Sequence, residues 1–181
     1  VSTRPGLWRC IPAAGIVPDK AVIAATAGWV VGGSLVLAMM CDLLVAADNT
    51  KFSYPEARLG FTGGMIAGLA SRIPHKIAMD IVLLGRTVDA KRGYEVGLAS
   101  ELVPVGTQVE VAMRQAEELA LSAPLVLRTI KRFVNQHIMP KGPSELMADT
   151  MRQLNVVRES ADIVEGVAAF REKRKPVYLG R

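Results

Sequence analysis

From Lys20 onward, short apolar runs are separated by turn residues, and their spacing predicts compact elements at residues 21–26, 33–41, 43–47, 51–54, 65–72, 75–84, 89–96 and 98–103. Val22-Ile23-Ala24-Ala25 reads as a short buried strand. The stretch opened by Gly28 reads as a buried strand, a paired-glycine turn at Gly32-Gly33 and a buried helix. Strands separated by helices require crossover connections, which implies an α/β layer architecture. After Pro104 the period becomes helical. Val109, Ala112, Met113, Ala116 and Leu119 mark one face, Val126, Ile130, Phe133 and Val134 a second, and Met147, Met151 and Leu154 a third. Pro124 and Pro143 fall at expected helix starts, Ser144 is the expected N-cap beside the latter, and Asp162-x-x-Glu165 has capping-box spacing with Asp in the capping place. The chain therefore divides into an α/β part, residues 1–107, and a helical part, residues 108–181. Its first 20 residues, rich in Pro and Gly, read as a surface segment.

Composition narrows the function classes. A formal charge of +5 could suit nucleic acid, but aromatic residues make up only 5% and the basic residues are scattered, so no nucleic-acid partner is expected. The exception is the basic group Arg171, Lys173, Arg174 and Lys175 near the C-terminus. Residues 21–41 carry no charge and include Gly28-x-x-x-Gly32, a pattern long enough to cross a bilayer. The strand pattern, the glycine cluster and the later helical pattern interrupt it, so a membrane span is not expected. Cys10 and Cys41 stand far apart and outside any ligand spacing, which fits reduced thiols in a cytoplasmic protein and no metal site.

Two adjacent glycines at a strand-to-helix turn let the backbone approach a ligand and leave the first helical N–H groups unpaired, so the turn can bind an oxyanion without a charged side chain. Gly33 is the candidate donor. A short way on, Phe52-Ser53-Tyr54-Pro55-Glu56 places a lone carboxylate on a Pro-Glu turn. Glu56 reads either as a proton carrier or as an exposed turn carboxylate paired with Arg58 or Lys51. Ser34 has no convincing His and Asp partners: His75 and His137 flank helices, and Asp42 is expected to be satisfied by backbone N–H groups of its turn.

Both motifs resemble the crotonase family, also called the enoyl-CoA hydratase/isomerase family. The resemblance continues through Ala78-Met79-Asp80-Ile81-Val82-Leu83-Leu84-Gly85-Arg86, then 97–104, then Glu165-Gly166 and the stretch 169–176. It implies a partial spiral of strand–strand–helix turns as the core, a C-terminal helical region that builds homotrimers or hexamers, and acyl-CoA as substrate, with coenzyme A entering only as part of that substrate. It also implies preceding strands and helices, among them a segment supplying a first oxyanion-hole N–H, which nothing in this sequence matches.

By the same resemblance, Gly33 N–H and Glu56 are the expected catalytic groups, with Gly32 beside them. Hydratases of the family place a second glutamate where this chain has Val36, and an isopropyl group can neither hold nor deprotonate water. The expected reaction is therefore a Glu56-dependent proton transfer, double-bond isomerisation or epimerisation. Hydration by Glu56 alone, or a non-catalytic CoA-binding subunit, are the alternatives. Gly60-Phe61-Thr62-Gly63-Gly64-Met65-Ile66 departs from the commoner family form, so Thr62 and Met65 are expected to line an altered acyl pocket. Phe170 and Lys173 match positions that contact the adenine and phosphate end of coenzyme A, often from a neighbouring subunit.

Overall fold

A computed structural model describes residues 11, 12 and 16–181. Cys10 and most of the Pro- and Gly-rich opening segment lie outside the described residues. Strands β1 (Ile23–Thr26), β3 (Leu43–Ala47) and β6 (Glu101–Val103) form one parallel sheet in the order β1-β3-β6, with Ile23 beside Leu43 and Val45 beside Glu101. In a second sheet, β2 (Trp29–Val31) runs parallel to β4 (Lys51–Ser53), and β5 (Val88–Asp89) is antiparallel to β4.

The near-continuous apolar run of β3 has its reason in the packing. Leu44 and Ala46 face the main core, while Val45 faces a smaller cluster with Val103, Val111 and Ala112. A strand covered on both faces has no solvent side to make polar. The covering element on the second face is α4 (Gln108–Ala120), which packs against β1 and β3. Between the sheets' strands lies α1 (Gly33–Met39), whose Leu35, Val36, Ala38 and Met39 are buried in the main core with Phe52, Leu69 and Ile81.

Two 3-10 segments, Pro55–Leu59 and Met65–Ser71, follow β4 and rest against α2 (His75–Leu84). Next come α3 (Ala90–Glu95), α4, α5 (Pro124–Phe133), a π-turn (Val134–Ile138), α6 (Pro143–Arg158) and α7 (Ala161–Glu172). Phe52 lies so close to Gly93 of α3 that a Cβ there would stand 2.8 Å from its ring, which explains a glycine inside that helix.

Several local expectations are corrected. The strand at Trp29–Val31 is not buried throughout: Val30 is, but Trp29 is 62% exposed, and Lys51 lies over its ring. The element expected at 89–96 is helical over Ala90–Glu95, while Asp89 ends β5 and caps α3, its carboxylate accepting from Arg92 N–H at 2.8 Å. Pro143 does occupy the first turn of α6, but the cap is Gly142 rather than Ser144, with the Glu145 carboxylate reaching back to Gly142 N–H at 2.9 Å. Ser160, not Asp162, caps α7. Asp162 and Glu165 instead accept from Leu179, Gly180 and Val177 N–H, because the C-terminal tail folds back along that helix. Asp42 accepts from Val22 N–H at 2.7 Å and Lys131 at 2.6 Å, so its partners come from a neighbouring segment and from α5 rather than from its own turn. Among the described residues, no helix is long and apolar enough to cross a membrane.

Candidate functional site

The turn between β2 and α1 has a conformation that only glycine adopts readily. Gly32 has φ 59° and ψ −118°. Its N–H continues the ladder to Ser53 O at 3.1 Å, and its carbonyl accepts the first α1 bond, from Val36 N–H. Ser34 closes the turn from the side, its hydroxyl accepting from Val31 N–H at 2.7 Å and donating to Val31 O at 2.8 Å. With its hydroxyl committed in both directions, Ser34 is a clamp rather than a nucleophile. Sequence reasoning missed this role, although a Ser at the second position of a helix after a glycine pair is its signal. Gly33 is exposed, and among the described residues its N–H has no acceptor.

Glu56 reaches this turn from the other side. It sits on the 3-10 segment Pro55–Leu59, which Pro55 starts and Gly60, at φ 68°, ends. The half-buried side chain of Glu56 lies directly against Gly32: a Cβ on Gly32 would collide with Oε1. Its Oε2 is buried without a hydrogen-bond partner, and among the described residues the carboxylate forms no ion pair. Both cations that could have neutralised it are engaged elsewhere. Arg58 donates to Leu84 O at 2.7 Å, and Lys51 lies over the Trp29 ring at 5.2 Å. The exposed-turn reading of Glu56 therefore does not describe this carboxylate. A buried carboxylate oxygen with no partner carries an unmet desolvation cost unless something binds it. Such groups concentrate where a proton or a ligand is to be taken up.

The other expected residues fall in three places. Val36 is 3% exposed and lies in the main core. Thr62 borders an apolar cavity of about 340 Å³ with Tyr54, Ala57, Phe61, Val82 and Leu83. Met65 is 5% exposed and packs in the core beneath the second 3-10 segment. Phe170 and Lys173 lie on α7 and at its left-handed end; both are exposed, Phe170 to 86%. That helix packs on α6.

A larger cavity, about 700 Å³, opens at the C-terminal end of α1 between Met39, Asp42, Arg72, Lys131 and Arg152. It touches neither Gly33 nor Glu56, and its cations are already paired, Lys131 with Asp42, Arg72 with Glu145, and Lys141 and Arg152 with Asp149. The Glu56 carboxylate and the glycine turn lie apart from this cavity, in contact with each other at Gly32.

Known proteins resemble this chain along most of its length. Residues 14–181 match the family described as Enoyl-CoA hydratase/isomerase. Carnitinyl-CoA dehydratases of Citrobacter koseri and of Escherichia coli O157:H7 are each 33% identical over 168 residues, 90% of this chain. The chain spans 64% of the length of these curated relatives. Among solved structures, carnitinyl-CoA hydratase from Mycobacterium avium aligns with a TM-score of 0.65 at 35% identity, covering 90% of this chain and 64% of that one. An enoyl-CoA hydratase from Mycobacterium tuberculosis H37Rv aligns with a TM-score of 0.66 at 34% identity, covering 93% and 67%.

Proposed function

We propose a function on the premise that this chain belongs to the enoyl-CoA hydratase/isomerase family, the crotonases, which it matches over residues 14–181. The reading is an enzyme acting on acyl-CoA thioesters by proton transfer through Glu56, with the Gly33 N–H as an oxyanion donor. Glu56 removes a proton from the carbon beside the thioester carbonyl. The C–H electrons move into an enolate, and the developing negative charge on the carbonyl oxygen is met by the Gly33 N–H at the start of α1. Return of the proton to another carbon, or to the opposite face of the same carbon, gives isomerisation or epimerisation and regenerates the carboxylate. A single well-placed acid–base group supplies about 10²–10⁴-fold in rate.

One observation carries the proposal: the Glu56 carboxylate, its Oε2 buried and partnerless among the described residues, presses its Oε1 side against the glycine turn whose next amide is open. The buried isopropyl group of Val36 supports a one-carboxylate mechanism, since it leaves no second acid at that place to hold water. A second reading, water addition or removal using Glu56 alone, is favoured by the carnitinyl-CoA dehydratases at 33% identity. In either case Gly32 makes room for the acid, Thr62 borders the acyl end while Met65, expected beside it, packs in the core instead, and Phe170 and Lys173 bind the adenine and phosphate end of coenzyme A. The exposed apolar side chains of Leu125, Val126, Ile130 and Phe133 on α5 support burial of the helical region in a homotrimer or hexamer.

The test uses the full-length protein and a panel of enoyl-CoA esters, following hydration, double-bond migration and exchange of substrate protons with deuterated solvent. Exchange that is present in the native protein and lost in Glu56→Gln supports the proposal. Unchanged turnover in Glu56→Gln removes Glu56 from the mechanism. Coenzyme A binding with neither turnover nor exchange assigns the chain to a binding role.

A further inference from the structure

Glu56 is oriented by no hydrogen bond of its own carboxylate among the described residues, so its direction is set by the backbone turn that carries it. That turn is held from both sides. Tyr54, immediately before Pro55, is 4% exposed, and its phenol shares a hydrogen bond with the Thr62 hydroxyl at 3.1 Å, in which either oxygen can be the donor. The same Thr62 oxygen accepts from Gly64 N–H at 3.1 Å. The residue before the acid's turn is thereby tied to the loop that follows it. Phe61 N–H donates to the Glu56 carbonyl at 3.2 Å, and Arg58 fastens the turn's middle to the end of α2.

We infer that Tyr54 and Thr62 are a positioning pair for Glu56, their shared hydrogen bond closing the loop that aims the carboxylate past Gly32. The inference rests on the reading of Glu56 as proton carrier. Its physical basis is the leverage of the turn. A buried phenol O–H needs a partner, and among the described residues Thr62 is the hydrogen-bond partner of this one. Without it, Tyr54 must shift or admit water. Pro55, with its φ fixed by the ring, transmits any such shift to the next residue. A misplacement of about 1 Å at a reacting group costs on the order of 10²-fold in rate even when no contact with substrate is lost. Thr62 thus has two duties: it borders the apolar cavity, and its hydroxyl oxygen holds the turn.

The experiment measures kcat, KM and solvent-deuterium exchange for Thr62→Val, Thr62→Ser, Tyr54→Phe and the double variant Tyr54→Phe/Thr62→Val, with Glu56→Gln as the reference. The expected result is a fall of roughly 10- to 100-fold in kcat and in exchange rate, with KM within about threefold, for Thr62→Val and Tyr54→Phe. Thr62→Ser, which keeps the hydroxyl, restores most of the loss. The double variant is no worse than the poorer single one, because both remove the same bond. A rise in KM at unchanged kcat overturns the inference by making Thr62 a substrate contact alone, and wild-type kinetics in both single variants overturn it as well. Failure of Thr62→Ser to rescue does the same, and also covers a fold lost for other reasons. If Glu56→Gln retains full activity, it is the proton-carrier reading that fails; if Glu56→Gln is inactive while the hydroxyl variants are normal, only the positioning pair fails.

Discussion

Replacing Glu145 with alanine tests how the helical region is fastened to the α/β part. Arg72 and Glu145 form an ion pair at 3.0 Å, with side chains only 18% and 6% exposed. Arg72 also donates to Gly68 O at 2.7 Å, while the second Glu145 oxygen accepts from Gly142 N–H. Removing the carboxylate leaves a largely buried guanidinium without its counter-charge, an effect of about 3–5 kcal/mol for pairs of this kind. It also removes the reach-back hydrogen bond from Gly142 N–H at the start of α6, which adds about 1 kcal/mol. For a chain of this size each kcal/mol moves Tm by about 2–4 °C, so the combined loss of about 4–6 kcal/mol is expected to make Glu145→Ala melt roughly 8–24 °C lower. Urea unfolding gives the free energy directly, and hydrogen exchange at Leu146 and neighbouring amides reports whether α6 loosens first. The paired replacement Arg72→Met/Glu145→Leu is expected to recover most of the loss, since a well-packed apolar pair avoids the desolvation of two charges. A Glu145→Ala variant within about 1 kcal/mol of the parent refutes the reasoning, because it means that solvent already reaches the pair.

Gly32→Ala is expected to displace Glu56 and force a backbone strain of about 1–3 kcal/mol, with a loss of enoyl-CoA turnover near 10²-fold; steady-state kinetics with a thermal melt separate the two effects. Gly93→Ala is expected to destabilise by about 1–3 kcal/mol through collision with the Phe52 ring, read by urea unfolding, with activity per folded molecule unchanged. The hydrogen bond from Arg174, helped by Val177 N–H, lowers Glu165 to about 2 from 4.5. A carboxylate depressed in the folded state contributes its stabilisation in full above 4.5 and loses it as pH falls through about 2. The Val177 amide is therefore expected to lose exchange protection only across that acidic window, and loss already complete by pH 5 contradicts the assignment. Burial, with a further push from the Asp42 carboxylate, raises the Cys41 thiol. Peptide mapping after alkylation near neutral pH is expected to find Cys41 slow to react.

Local chemistry made much of this legible from sequence. The apolar run of β3, the prolines opening α5 and α6, and the glycine pair before α1 each act through their own backbone or their immediate neighbours, and the structure places those elements where periodicity does. The misreadings share a cause, a partner distant in sequence. Asp162 and Glu165 have capping-box spacing, but the returning tail claims both carboxylates and leaves the cap to Ser160. Asp42 pairs with Lys131, far along the chain. Glu145 carries no sequence signal for Arg72. For the candidate site, the nature of Gly33 and Glu56 could be read from residue type, whereas their approach across the turn, and the freedom of Glu56 from Arg58 and Lys51, come from tertiary packing alone.

The contact between Gly32 and Glu56 also ties the evolutionary fates of two distant codons. A longer side chain at either place evicts the other, so neither can drift independently while the acid keeps its seat. A one-methylene shortening, Glu56→Asp, would relieve the collision with an alanine at position 32 but not the backbone strain that its φ of 59° imposes on any side chain. Selection from a library randomised at both positions is accordingly expected to keep glycine at position 32 in every active survivor.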